Sequence, residues 1–246
     1  MKRLFSFLLV ALSVLIAFGS LTACNGQDDA ENGTEGLVIE ASLGDQMTVT
    51  GYVGNENKVV IPKTYNGKKV VSISQSAFEN NQTIVEVVIG ENVTKIDEYA
   101  FKDCGNLEKI ELPNGIINVG FTAFLNCEKL KHTTVGSLSY LGNEENPYLL
   151  LVRCEKTAKD VTINDNCKVI GVAAFEKCAD LTSVKLAKKL NYISEYAFLE
   201  TTSLKILNYF GTEEDWNEIS LNERWKNGSN LLGVVAYGAT IDLTQS

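Results

Sequence analysis

The residues able to do covalent chemistry are few. The chain holds six cysteines and a single histidine. A Cys154–His132 pair would be a nucleophile and its general base, because a thiol needs a nearby proton acceptor to attack at neutral pH. The sequence argues against it: His132 falls in an outward strand position, Cys154 lies on a separate segment, and neither is followed by an oxyanion loop. The carboxylate runs Glu144-Glu145 and Glu213-Glu214-Asp215 sit in turn-like or helix-start contexts, where acids are solvated rather than held buried with shifted protonation. No C-x₂-C pair and no second histidine are present to build a zinc site, and no glycine-rich loop cradles a phosphate. The expectation is therefore a non-enzymatic protein with no catalytic residue, metal or cofactor, and an enzyme using Cys154 as the remaining alternative.

Charge and ends narrow the classes further. A net charge of −9 and a computed pI near 4.8 argue against nucleic acid as partner and against charge-driven adhesion to anionic lipid. With 246 residues and 45 % apolar content the chain can bury a large core. Lys2-Arg3 and the apolar run Leu4 to Phe18 form an export signal too short to span a bilayer, which needs about 20 residues. The signal ends in Leu21-Thr22-Ala23-Cys24, which resembles the lipobox of bacterial lipoproteins. The resemblance implies cleavage after residue 23, lipidation of Cys24, and a membrane anchor through that lipid. Residues 24–35 then read as the lipidated cysteine and an acidic tether spanning about 20 Å as a coil.

The rest of the chain repeats. Ala-Phe recurs at Ala77-Phe78, Ala100-Phe101, Ala123-Phe124, Ala174-Phe175 and Ala197-Phe198, in steps of 23 residues with one longer step of 51. Apolar residues keep the same phase four before the Ala (Ile73, Ile96, Val119, Ile170, Ile193) and six after the Phe (Ile84, Leu107, Leu130, Leu181, Leu204). Positions nine and eleven after the Phe alternate with polar neighbours as a half-buried strand requires. One such unit cannot bury its own side chains, so units must stack, their strands parallel and about 4.8 Å apart. This phase makes every repeat phenylalanine, Phe124 included, a core residue. Cys104, Cys127 and Cys178 fall three after the Phe, a column shared with Asn81 and Thr201, and act as small residues facing backbone; Cys104 and Cys127 on adjacent coils could approach disulfide distance.

The wording of these units, L-x-x-V-x-L…V-x-x-I…A-F-x-x-C, resembles the BspA-like class of bacterial leucine-rich repeats. Ile61-Pro62, Leu112-Pro113-Asn114-Gly115, the interruption Leu141-Gly142-Asn143-Glu144-Glu145-Asn146-Pro147-Tyr148 and the closing Gly211-Thr212-Glu213-Glu214-Asp215-Trp216 support it. The resemblance implies a leucine-rich-repeat solenoid, exported or surface-attached, with adhesion to host proteins or other cells among its roles. The resulting layout is an N-terminal β-hairpin cap over 36–58, a solenoid over 59–209 with an interruption at 140–156, and a C-terminal cap over 210–246 that opens on a short helix and carries Trp216 and Trp225. The interruption reads as an extra strand or hairpin bulging from the array, and Lys63 to Lys68 as a small insertion in the first coil.

What is left for function is a surface. The outward positions Glu86, Lys109, His132, Asp160, Ser183 and Ile206, with Val88, Glu111, Thr134, Thr162, Lys185 and Asn208, are expected to line one continuous strand face. The reading is a non-enzymatic, lipid-anchored protein of the bacterial cell envelope. It binds a protein or glycan through that face as an adhesin or cell-interaction protein. The alternative is a structural or assembly component of an envelope complex.

Overall fold

Residues 33–120, 122–236 and 239–243 are described by a computed structural model. The export signal, Cys24 and residues 25–32 lie outside them. The described chain opens with β1 (Leu37–Ala41) and β2 (Gln46–Tyr52), an antiparallel hairpin with a register shift between Val38 and Ile39. The chain is tied down before this hairpin: Thr34 N–H donates to the Val60 carbonyl at 3.0 Å, and Thr34 Oγ1 accepts from Val60 N–H at 2.7 Å. The first coil holds β3 (Lys58–Ile61), β4 (Thr64–Tyr65) and β5 (Lys68–Ile73). The small insertion is the β4–β5 hairpin, turned by Asn66 and Gly67 at φ 50° and 74°. Two consecutive positive φ values are what a tight two-residue hairpin needs, and Asn-Gly supplies them at least cost.

The next coils add β6 (Glu86–Ile89), β7 (Lys95–Ile96), β8 (Lys109–Glu111) and β9 (Asn118–Val119). Two parallel ladders result: an outer sheet β3-β6-β8 and an inner sheet in which β2 leads to β5, β7 and β9. Between them each Ala-Phe sits in a tight bend with left-handed residues before the Ala and two after the Phe, as at Ser76, Asn80, Tyr99 and Asp103. Such conformations cost non-glycine residues free energy. Here coil-to-coil hydrogen bonds offset it, with Phe78 N–H on Ala100 O and Phe101 N–H on Ala123 O, both at 2.8 Å. The rings stack along the axis: Phe78–Phe101 at 4.8 Å and 7°, Phe101–Phe124 at 5.6 Å and 15°.

The interruption differs from its expected form. β10 (Thr133–Val135), β11 (Leu138–Leu141) and β12 (Leu150–Cys154) make an antiparallel meander, and β12 then pairs parallel with the next inner strand. It does not bulge outward. All four residues of β11 are buried, and the meander crosses the interior as a septum between two apolar clusters. Leu141, Leu149 and Leu150 join the N-terminal cluster, while Leu138, Tyr140, Leu151 and Cys154 join the C-terminal one. A strand apolar on both faces must be covered on both, so it is driven inside.

Beyond the septum the solenoid resumes with β13 (Asp160–Thr162), β14 (Val169–Ile170), β15 (Ser183–Leu186), β16 (Tyr192–Ile193) and β17 (Ile206–Tyr209). Helix α1 (Glu213–Asn217) follows, with a capping box between Thr212 and Asp215 and three acids in its first turn. β18 (Ser220–Leu221), β19 (Gly233–Ala236) and β20 (Ala239–Asp242) complete the described chain. The parallel ladder runs past residue 209, where the solenoid was expected to end: β19 pairs parallel with β17, and β20 closes the edge antiparallel. The helix between them hid that last coil from a 23-residue count. Trp216 and Trp225 are buried as expected, Trp225 edge-on to Phe198 at 5.8 Å.

Candidate binding surface

The outward side chains come from the alternate positions of the outer strands, and the structure splits them into two faces. On the N-terminal face Lys58, Glu86 and Lys109 share one row, and Val60, Val88 and Glu111 the next. On the C-terminal face Asp160, Ser183 and Ile206 share a row, and Thr162, Lys185 and Asn208 the next, with Gly233 and Val235 extending both. The expected continuous face is therefore corrected. After β8 the chain turns into the septum, so Thr134 on β10 pairs with Ser139 of β11 rather than with an outer strand. His132 precedes β10 and is half-buried, not outward.

The two faces differ in charge. On the N-terminal face Glu86 meets Lys58 at 3.1 Å, and Lys109 meets Glu111 at 2.6 Å and Glu144 at 3.1 Å. Hydrogen bonds that the Lys109 ammonium donates to the Glu111 and Glu144 carboxylates hold it above the usual lysine range. These charges satisfy one another. On the C-terminal face Asp160 and Lys185 form no ion pair among the described residues, and Ile206 is 40 % exposed beside Leu232 at 53 %.

The cysteine column behaves as a ladder of donors. Cys104 Sγ donates to Phe78 O and Cys127 Sγ to Phe101 O, each at 3.0 Å, while Thr201 Oγ1 reaches Phe198 O at 2.7 Å. All five cysteines in the described residues are free and buried, so Cys104 and Cys127 are not joined by a disulfide. Cys154 lies within the repeat pattern after all. Its N–H donates to Ala174 O at 2.7 Å, the bond made elsewhere by the repeat phenylalanine, so the thiol stands where a ring would be.

The structure brings Cys154 and His132 to one cleft of about 550 Å³, with Arg153, Glu155, Lys156 and Glu176 on its walls. This proximity was not legible in the sequence. It does not make a nucleophile. Cys154 is 3 % exposed, and a hydrogen bond shared with Cys178 together with burial keeps its thiol protonated. Burial and the Arg153 charge push His132 below the usual histidine range. A base that binds protons poorly beside a buried thiol that releases them poorly is ill-suited to acyl transfer.

Sequence reasoning also missed the first and last rungs of the outer faces. Lys58-Val59-Val60-Ile61 carries the alternation 28 residues before Glu86, but the β4–β5 hairpin displaces it from the 23-residue phase. Arg153 and Lys156 had no repeat column to mark them.

Stacked parallel rungs, two facing sheets and an axial phenylalanine stack define a leucine-rich-repeat solenoid of about eight turns. Six copies of the BspA type leucine rich repeat region match residues 55–145 and 152–223, and the chain belongs to that family. The break between the matched stretches falls in the septum. Proteins of this family are typically protein-interaction or surface proteins, and the fold is a scaffold for binding rather than catalysis. Among solved structures, the leucine rich repeat protein of T. pallidum is 26 % identical, with 74 % of this chain and 86 % of that one covered at a TM-score of 0.46. A leucine-rich repeat protein from Bacteroides ovatus is 19 % identical over 82 % of this chain and 70 % of that one, TM-score 0.41. The pneumococcal vaccine antigen PcpA is 11 % identical over 72 % and 70 %, TM-score 0.30. No curated protein matches the sequence. Among the described residues no helix is long and apolar enough to cross a membrane.

Proposed function

We propose that the chain is a lipid-anchored protein of the bacterial cell envelope that binds a protein or glycan through its C-terminal strand face, as an adhesin or cell-interaction protein. The observation that carries this reading is the contrast between the two faces. Glu86, Lys109 and Glu111 are spent on one another, whereas Asp160, Thr162, Ser183, Lys185, Ile206 and Asn208 stand on a face with uncompensated charge and exposed apolar surface. Charged groups without an internal ion pair are the ones able to make intermolecular contacts at little desolvation cost. The lipid on Cys24 supplies the anchor, and the apolar stretch before it supplies export.

The second reading, an assembly component within the envelope, is supported by the tether. Thr34 is already bonded to β3, so only residues 25–32 separate the anchor from the folded chain. A lipid on Cys24 would therefore hold the solenoid close to its membrane.

One experiment separates the readings. Intact cells producing the protein are shaved with protease and tested for attachment to matrix proteins and glycans, alongside cells producing a Lys185→Glu/Ile206→Glu variant and a Cys24→Ala variant. Release of repeat peptides, attachment lost in the strand-face variant, and release of Cys24→Ala protein from the membrane support the first reading. Protection from protease with attachment unchanged overturns it in favour of an envelope partner.

A further inference from the structure

The septum that divides the solenoid leaves a seam on the inner side. The inner sheet β2-β5-β7-β9 ends at β9, while β12 takes β11 and β14 as neighbours. β9 and β12 are thus consecutive inner strands that share no ladder, and the outer edge of β9 carries no paired strand among the described residues. Beside that edge lies a groove of about 180 Å³, walled by Val119, Phe124, Leu125, Leu150 and Val152. The aromatic stack that runs through Phe78 and Phe101 stops here. Phe124 is only half-buried, and Leu125 is 41 % exposed.

The groove continues into the cleft of His132 and Arg153. Val152 lines both, and the bend Gly171-Val172-Ala173-Ala174 forms the floor of one and then of the other. At the cleft end the charge is unusual for so acidic a chain. The described residues contain two arginines. Arg224 meets Glu195 at 2.5 Å, whereas neither Arg153 nor Lys156 forms an ion pair among the described residues. Of the two acids on the rim, Glu176 is held by Lys177 at 2.8 Å, which leaves Glu155 facing two cations and the imidazole. The seam therefore offers, in order along one line, an open strand edge, an apolar trough and an excess of positive charge.

We infer that this seam binds an extended peptide segment of a partner protein, with a carboxylate side chain seated between Arg153 and Lys156 and neighbouring apolar side chains laid against Phe124 and Leu150. An extended chain suits the site because it can pair with the open β9 edge while its alternate side chains enter the trough. The carboxylate is set by charge complementarity: a guanidinium without an internal partner is matched by a planar two-oxygen acceptor. The inference rests on the reading of the chain as a binding protein and places peptide capture on a second surface, separate from the strand face.

The test uses the full mature chain and a phage-displayed library of random twelve-residue peptides. Selection on the wild-type protein should enrich peptides with an acidic residue flanked by apolar, strand-forming ones. A synthetic peptide of that consensus should lose about tenfold in affinity against Arg153→Glu, which replaces attraction with repulsion at one contact. A peptide with lysine in place of the acid should recover affinity for that variant. Leu125→Glu, an exposed position at the trough, should weaken the original peptide as well. Binding of the peptide should shift the imidazole resonance of His132, the one histidine of the chain. Both substitutions lie at exposed side chains, and unchanged circular dichroism shows that they fold. The inference is overturned if wild type and Arg153→Glu enrich the same peptides, or if affinity survives both substitutions. Loss of peptide binding in Lys185→Glu/Ile206→Glu with the seam variants unaffected would overturn the seam while leaving the strand-face function standing. Cell attachment unaffected by the strand-face variant, with peptide capture at the seam intact, would do the reverse.

Discussion

Truncating single rings of the axial phenylalanine stack tests the packing most directly. Phe101 is fully buried and is sandwiched by Phe78 at 4.8 Å and Phe124 at 5.6 Å. Phe101→Ala removes a buried ring from a site that cannot collapse, because the backbone bends on both sides are locked by coil-to-coil hydrogen bonds. Buried Phe→Ala changes cost about 3–5 kcal/mol, and with stacking lost on two faces the cost should fall at the upper end, about 4–5 kcal/mol. Phe124 was expected from the sequence phase to be an equal member of the core. It ends its stack at the seam and is half-buried, so Phe124→Ala should cost roughly half as much, about 2 kcal/mol. Urea unfolding followed by far-UV circular dichroism gives both values. The same titration followed by tryptophan fluorescence reports on the C-terminal cluster alone, where Trp216 and Trp225 lie. Because septum residues belong to both clusters, the two signals should shift together for Phe101→Ala although the mutation is in the other half. Equal losses for Phe101→Ala and Phe124→Ala would refute the seam. A fluorescence transition unmoved by Phe101→Ala would refute the septum as a coupling wall.

Other expectations follow from single sites. The His132 imidazole is pushed below its usual range by burial and Arg153, so the folded state binds its proton less readily than the unfolded chain. Stability should be fully present above about pH 6.5 and fall as pH drops below that value. The His132 resonance should titrate below pH 6.5, and His132→Gln should flatten that part of the pH–stability curve; a titration at or above 6.5 would contradict the geometry. Cys127→Ala should cost only about 1 kcal/mol by urea titration, because the Phe101 carbonyl loses the Cys127 thiol but keeps the Cys104 N–H at 3.2 Å, and Cys127→Thr should cost no more, since Thr201 already fills the same column with its hydroxyl on the Phe198 carbonyl of its own coil. All thiols of the described residues should resist an aromatic disulfide reagent at pH 8 until the protein is unfolded, Cys154 included, because none is exposed. Gly67→Ala in the exposed β4–β5 turn should cost about 1 kcal/mol through its φ of 74° alone, since an added Cβ meets nothing within 4 Å there.

The repeat was legible because its causes are local and recurrent. A side chain four before the Ala or six after the Phe meets its own copy in the next coil, so the apolar columns, the small-residue ladder of Cys104, Cys127 and Thr201, and the bends at Asn80 or Asp103 all follow from one unit repeated. The hairpin at β1–β2 and the capped helix at Thr212 are equally local, written in turn residues and a capping box. The same logic makes the chain a stacked solenoid, and the wording of its units carries the resemblance to bacterial leucine-rich repeats.

Tertiary structure decided what lies between the copies. Leu138 to Cys154 is apolar enough for a buried strand, but nothing within that stretch says whether it leaves the array or enters it. The answer depends on β12 finding β14 and on two clusters from opposite halves covering the two faces of β11. That choice splits the outer face after Lys109 and Glu111, turns His132 inward, and sets it beside Arg153, which lies 21 residues further along the chain. A period reports on contacts between like residues one coil apart. Contacts between unlike residues across a break have no period, and only the folded chain reveals them.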